Sequence, residues 1–229
     1  MFPLNAEFGT NEINHRTAPG VPSEVTLASG PDGKANGSYE FSGTANSYIE
    51  FSNSDGGALD VRYSITMLCW LYSYEQDGPI FNYNTAGTNW GVHLWVHQKK
   101  LFVRYTDRNY AKINEGHFSQ SILPRRWKFV GASYDHGTGE AKLWVDGVVD
   151  ATFKIGAGLD LATQDSVRMG VKNGDIRYFK GRIAQMQVYN LALTEVQVQT
   201  IKKRRTPEGM SMTFIFPKNG KVISRKKQV

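Results

Sequence analysis

The sequence predicts an all-β fold: an antiparallel β-sandwich with one short C-terminal helix. Three observations carry this. Short runs rich in Val, Ile, Phe, Tyr, Trp and Thr recur between Gly, Asn, Asp and Ser clusters, the pattern of many short strands joined by turns. Helical periodicity is nearly absent before residue 194. The chain's 229 residues suffice for one sandwich, which would bury roughly 70–75% of its unfolded surface without needing a disulfide.

The elements follow in order. Residues 1–35 are rich in turn formers (Pro19-Gly20, Pro22, Gly30-Pro31-Asp32-Gly33), so only a first strand near 25–27 is expected. Tyr39 and Phe41, then Tyr48, Ile49 and Phe51, mark two strands around a turn at 43–46. Segment 64–72, SITMLCWLY, is apolar on both faces: Ile65, Met67, Cys69 and Leu71 on one, Leu68, Trp70 and Tyr72 on the other. A strand of that kind lies centrally and is covered on both sides. Residues 79–82 begin another strand. In 91–97, Val92, Leu94 and Val96 point one way and His93, Trp95 and His97 the other. Residues 101–105 return after a turn at Lys99-Lys100. A strong strand covers 127–134. Segments 142–145 and 148–153 pair through Asp146-Gly147, a two-residue type I′ loop requiring positive φ at both positions. Segments 166–171 and 183–189 complete the strands. Thr194 caps a helix that starts with Glu195 and stops near Arg204, ahead of Pro207. Residues 212–224 read either as a hairpin about Asn219-Gly220 or as a basic extension.

Charge is uneven. Residues 201–229 hold nine Lys or Arg and one acid, Glu208, whereas residues 1–200 hold 18 basic and 20 acidic groups. A polyanion-binding surface is therefore expected only in the tail, through Lys202, Lys203, Arg204, Arg205, Arg225, Lys226 and Lys227. Its candidate partners are a sulphated glycan or an anionic surface. Nucleic acid is disfavoured because the body is not basic. The lone Cys69 sits in an apolar run and reads as a buried core residue. No stretch approaches the ~18–20 apolar residues of a membrane span. The first fifteen residues lack the basic and apolar regions of a signal peptide. Asn36-Gly37-Ser38 is an N-glycosylation acceptor pattern of low specificity.

Four phrases, GSYEFSGTANSYIEF, SITMLCWLY, WKFVGASYDHGTGEAKLWVDGVV and GRIAQMQVYNLALTEVQV, stand in an order that resembles the laminin-G-like and pentraxin-like jelly rolls of the concanavalin A-like superfamily. The resemblance covers about residues 36–200. It implies a jelly-roll sandwich at 36–200, an irregular N-terminal segment (1–35) packed on it, and a basic extension at 201–229. It also implies an extracellular, non-catalytic carbohydrate-recognition or adhesion module that binds glycans or proteins. Many relatives carry an acid just after the Ile of the last strand, for calcium. Here the matching residues are Ala184 and Gln185, so a calcium site inherited from the family is weakened. Asp32, Glu40, Glu50, Asp55 and Asp60 leave calcium open elsewhere. No metal site is predicted.

Catalysis is not expected. Glycan hydrolysis needs two carboxylates about 5–9 Å apart, and the Glu-x-Asp-x-x-Glu pattern is absent, as are Gly-x-Ser-x-Gly and His-Glu-x-x-His. His93 and His97, four residues apart on a strand, lie roughly 13 Å apart, too far for one metal. The candidate ligand residues are Asn82, Trp90, His93, Trp95 and Arg104, where a tryptophan can stack on a sugar and polar neighbours can orient hydroxyls. Three alternatives stay open: that Trp95 fills the inter-sheet core instead, that the domain is a protein-interaction scaffold without a sugar site, and that it is a glycan hydrolase or lyase with unrecognised carboxylates.

Overall fold

The computed structural model describes residues 1–83, 89–111 and 114–204. The described strands form two antiparallel sheets of seven, with a single helix. The first sheet runs β1 (Val21–Ser23), β4 (Tyr48–Phe51), β13 (Val167–Met169), β6 (Gly78–Tyr83), β7 (His93–His97), β8 (Lys100–Arg104), β9 (His117–Ile122). The second runs β12 (Val148–Lys154), β11 (Glu140–Val145), β10 (Trp127–Tyr134), β5 (Ile65–Gln76), β14 (Lys180–Tyr189), β3 (Ser38–Ser42), β2 (Val25–Ala28). Helix α1 spans Glu195–Lys203.

The two-faced strand is central, as its sequence requires. β5 pairs with β10 on one side and β14 on the other. Ile65, Met67, Cys69 and Leu71 enter the inter-sheet core with Phe41, Phe81 and Leu94. Leu68 points the opposite way, into a second cluster with Phe129, Trp144, Val198 and Ile201, against which Trp70 packs. Helix α1 therefore covers the outer face of this sheet. Thr194 and Gln197 close a capping box: the Thr194 N–H donates to Gln197 Oε1 at 2.8 Å, and the Thr194 hydroxyl accepts from the Gln197 N–H at 3.4 Å. Burial raises the Cys69 thiol far above its usual range, which keeps it protonated and inert.

The Asp-Gly hairpin has the conformation its sequence demands, with φ of +57° at Asp146 and +85° at Gly147. It docks on α1, where Lys202 Nζ donates to the Asp146 carbonyl at 2.7 Å. At the β9–β12 edge, the Asp150 carboxylate accepts from the backbone of Gln120 at 2.5 Å, satisfying an edge donor.

Two features lie outside the sequence expectations. Strands β1 and β9 were not expected. The first residues also enter the core: Phe2 and Leu4 are buried, Phe2 bridges to Met186, and its ring lies 4.5 Å from that of Phe51. The Gln185 N–H donates to Pro3 O at 2.9 Å from a bulge in β14, where Gln185 has φ +51°. The backbone at Ala184-Gln185 thus anchors the N-terminal segment. The expected hairpin at 212–224 lies outside the described residues.

Candidate functional site

Alternation places Val92, Leu94 and Val96 in the inter-sheet core, so His93, Trp95 and His97 face outward from the first sheet. Trp95 is therefore not part of the inter-sheet core. It is nonetheless 1% exposed, because a second layer of chain folds over it.

That outer face is a continuous aromatic layer. Trp90 lies 5.1 Å from His93 and 5.6 Å from Trp95, centroid to centroid. His93 lies 5.9 Å from Phe102, and Phe102 lies 4.9 Å from Phe118, on which His97 stacks. Trp95 Nε1 donates to Asn82 Oδ1 at 3.2 Å, giving the indole N–H its partner. The layer tolerates no added atom at Gly116, where a Cβ would sit 2.0 Å from the Phe102 ring.

The covering chain is the 172–178 loop. Gly170 (φ +90°) donates to Pro79 O and accepts from the Phe179 N–H, which pins both ends of the loop to the sheet. Asn173 accepts from Arg168, and Arg177 grips Asp175 through Nε (2.9 Å) and a terminal nitrogen (2.6 Å). Lys172 Nζ then lies 4.6 Å from the Trp90 ring, and the Arg177 guanidinium 4.7 Å from the Trp95 ring. Arg104, across the strand pair from His93, approaches Phe102 at 5.5 Å.

The electrostatics are lopsided. Burial pushes His93 down to about 3, and Arg104, Lys172 and Arg177 push the same way. The imidazole is neutral at pH 7. Its Nδ1 lies 2.8 Å from Gly91 O, so Nδ1 carries the hydrogen and Nε2 is left as an acceptor. Burial also lowers Lys172, and burial followed by the charge of Arg177 lowers Arg104. The Arg104 Nε is buried and has no hydrogen-bond partner among the described residues.

Asn82, Trp90, His93, Trp95 and Arg104 thus lie together on this face. Asn82, His93 and Trp95 are buried (0%, 1% and 1% exposed), so they form the layer beneath rather than an open platform. Trp90 and Arg104 are half-buried and reachable. Lys172 and Arg177, in KNGDIRYF, were missed. Their signal was a Lys and an Arg set around Asn-Gly-Asp between two apolar segments, which reads locally as a solvated turn.

The basic tail is partly committed. Lys202 is bound to Asp146, Lys203 and Arg204 are exposed, and Arg205, Arg225, Lys226 and Lys227 lie outside the described residues. The acids do not fit calcium. Asp55 and Asp60 pair with Arg108, Glu50 with Arg168, and Glu40 with Arg182. Asp32 accepts from the backbone of Lys34. Among the described residues no three His, Cys, Asp or Glu side chains are grouped to hold a metal ion. Burial raises Asp60, but the Arg108 guanidinium, the Gly56 N–H and the Thr163 hydroxyl outweigh it and hold the carboxyl at about 2. Two grooves, of about 460 and 490 Å³, lie away from the aromatic face. Trp70, Gln199 and Lys203 line one; Ile122, Arg126 and Val148 line the other. No described helix is long and apolar enough to cross a membrane.

Several solved structures share this fold. The binding domain of Paraclostridial Mosquitocidal Protein 1 superposes with a TM-score of 0.63 at 16% identity, over 82% of this chain and 47% of that one. The ligand binding domain of botulinum neurotoxin serotype D, in complex with N-acetylneuraminic acid, gives 0.67 at 13% identity, over 88% and 50%. A heptameric SAP-like pentraxin from Limulus polyphemus gives 0.56 at 18% identity, over 71% and 80%. The chain spans about half the length of the toxin binding domains. No curated protein matches it. The Laminin_G_3 family model matches residues 42–199, more than half of the chain. With the order of strands described above, that match shows that the chain belongs to the laminin-G-type family of the concanavalin A-like lectin/glucanases superfamily.

Proposed function

We propose that this domain is a non-catalytic carbohydrate-recognition module that acts outside the cell. The observation that carries the reading is the half-exposed Trp90, set over a prebuilt aromatic layer with Lys172 against its ring. A sugar ring offers C–H faces to an indole and hydroxyls to hydrogen-bonding groups, and such sites combine apolar surface with a few placed polar groups. The layer is already ordered by its own packing, which lowers the entropic cost of binding. Binding domains among the similar solved structures, one of them holding N-acetylneuraminic acid, support the same reading. Hydrolysis would need two carboxylates free to act across a bond. The acids near this face are otherwise engaged: Asp175 grips Arg177, and Asp77 lies 2.5 Å from His97 Nδ1.

A glycan array, run with and without chelator, tests the proposal. Binding to a defined set of glycans that survives chelation and is lost in Trp90→Ala is the expected result. Binding to none refutes it. Retention of a protein-interaction role as the second reading rests on Ile122 and Val148, which are 61% and 46% exposed and flank the groove of about 490 Å³.

A further inference from the structure

The aromatic face holds more positive charge than its own acids balance. Arg104, Lys172 and Arg177 all bear on His93, and all three act on it as like charges. Lys172 is only 2% exposed, its burial lowering its proton affinity, and it lies against the Trp90 ring. Arg177 is matched by Asp175, whose carboxylate accepts along one edge of the guanidinium, from Nε and a terminal nitrogen. Arg104 has no such match: its Nε is buried and unpartnered among the described residues, while burial and Arg177 disfavour its charge. Holding a guanidinium in this way costs stability, since a buried donor without an acceptor loses its hydration and gains nothing. Lys172 against the Trp90 ring and Arg104 across the strand pair from His93 lie on either side of that imidazole, and their unbalanced charge is what an incoming anion would complete.

We propose that Arg104 and Lys172, beside Trp90, receive the carboxylate of an acidic sugar. A carboxylate is planar and can accept two parallel N–H bonds along one edge of a guanidinium, so it suits Arg104. Lys172 supplies a second positive charge from below, and Trp90 packs against the ring carbons of the sugar. His93, neutral and carrying Nε2 as an acceptor, is suited to a sugar hydroxyl. The chemistry is that of a sialic or a uronic acid residue. The inference rests on the carbohydrate-recognition reading and narrows it to acidic glycans.

The test is titration calorimetry with 3′-sialyllactose, lactose and an oligogalacturonate, on the intact chain and on Arg104→Gln. The expected result is binding of at least one of the two acidic probes. Lactose and the methyl ester of that probe should bind roughly tenfold or more weakly, the loss of one charge-assisted contact. Arg104→Gln should abolish that preference while its melting temperature stays level or rises, because one of three mutually repelling charges has gone. Sialyllactose binding alone assigns a sialic acid, and galacturonate binding alone a uronic acid. Neutral sugars bound as tightly as acidic ones would overturn the inference and leave carbohydrate recognition standing. Binding of none of the probes, together with an empty glycan array, would overturn both. Arg104→Lys guards against a folding defect. It should keep the charge and part of the binding, and binding of the acidic probe as tight as in the intact chain would count against the paired geometry. An acidic preference that persists undiminished in Arg104→Gln would overturn the site.

Discussion

Acid should destabilise this domain through His93. In the native protein the imidazole is buried at 1% exposure among Trp90, Trp95 and Phe102, with Arg104, Lys172 and Arg177 around it, and its proton affinity falls to about 3. In the unfolded chain it should titrate near 6.5. Above 6.5 both states are neutral and the group contributes nothing to the pH dependence. Between 6.5 and 3 the unfolded state takes up a proton that the native state refuses, so stability is lost as pH falls through that window. From pH 7 to pH 5 the loss is about 2 kcal/mol from this group alone, at ~1.4 kcal/mol per pH unit below the unfolded value. Urea unfolding of the wild type and of His93→Gln at pH 7, 6 and 5 would show it. Glutamine keeps a donor for Gly91 O but does not titrate. The two curves should converge as pH falls, with the wild type losing about 2 kcal/mol more than the variant. Parallel curves would refute the reasoning, because they would mean that His93 is protonated in the native state as readily as in the unfolded one.

Two further outcomes follow from packing and charge. Ile201→Ala should destabilise by about 2 kcal/mol, because Ile201 is 9% exposed in the cluster under α1. Val196→Ala on the same helix, at 75% exposure, should stay within about 0.5 kcal/mol, and denaturant unfolding of the pair separates the two. Asp60→Asn should cost roughly 1–3 kcal/mol at pH 7, since Asp60 binds Arg108 and Thr163 with its side chain 5% exposed. Its folded value of about 2 lies below the ordinary 3.8, so its contribution is present above 3.8 and is lost as pH falls toward 2. The variant's stability should therefore depend less on pH in that range than the wild type's.

The sandwich was legible wherever local pattern and tertiary environment agree. β5 announces its central place by having no polar face, and Asp146-Gly147 announces its turn by the φ values it needs. Thr194 and Glu195 mark the helix start without any tertiary information. The candidate site was legible only in part, for a physical reason. Alternation in β7 separates Leu94 from Trp95, but it cannot say which face meets the other sheet and which meets a loop from residues 172–178. Both faces are buried, so Trp95 looks like core and lies outside it. Lys172 and Arg177 come to the site across some eighty residues of chain, by a loop whose own sequence reads as a solvated turn. Phe2 and Leu4 were hidden similarly: two apolar residues in a turn-rich segment carry no period, and only the gap they fill beside Phe51 and Met186 gives them a place.

The central claim is that glycans bind on the outer face at Trp90. The chain has five tryptophans, so the indole N–H region of a nitrogen–proton correlation spectrum reports on five separate places. Titration with a glycan drawn from the array should shift the indole signals of Trp90 and Trp95, whose rings lie 5.6 Å apart. Those of Trp70, Trp127 and Trp144, on the other sheet, should stay in place. Shifts at Trp70 or Trp127 with Trp90 unmoved would contradict the account and relocate the binding surface to the helix-bearing sheet.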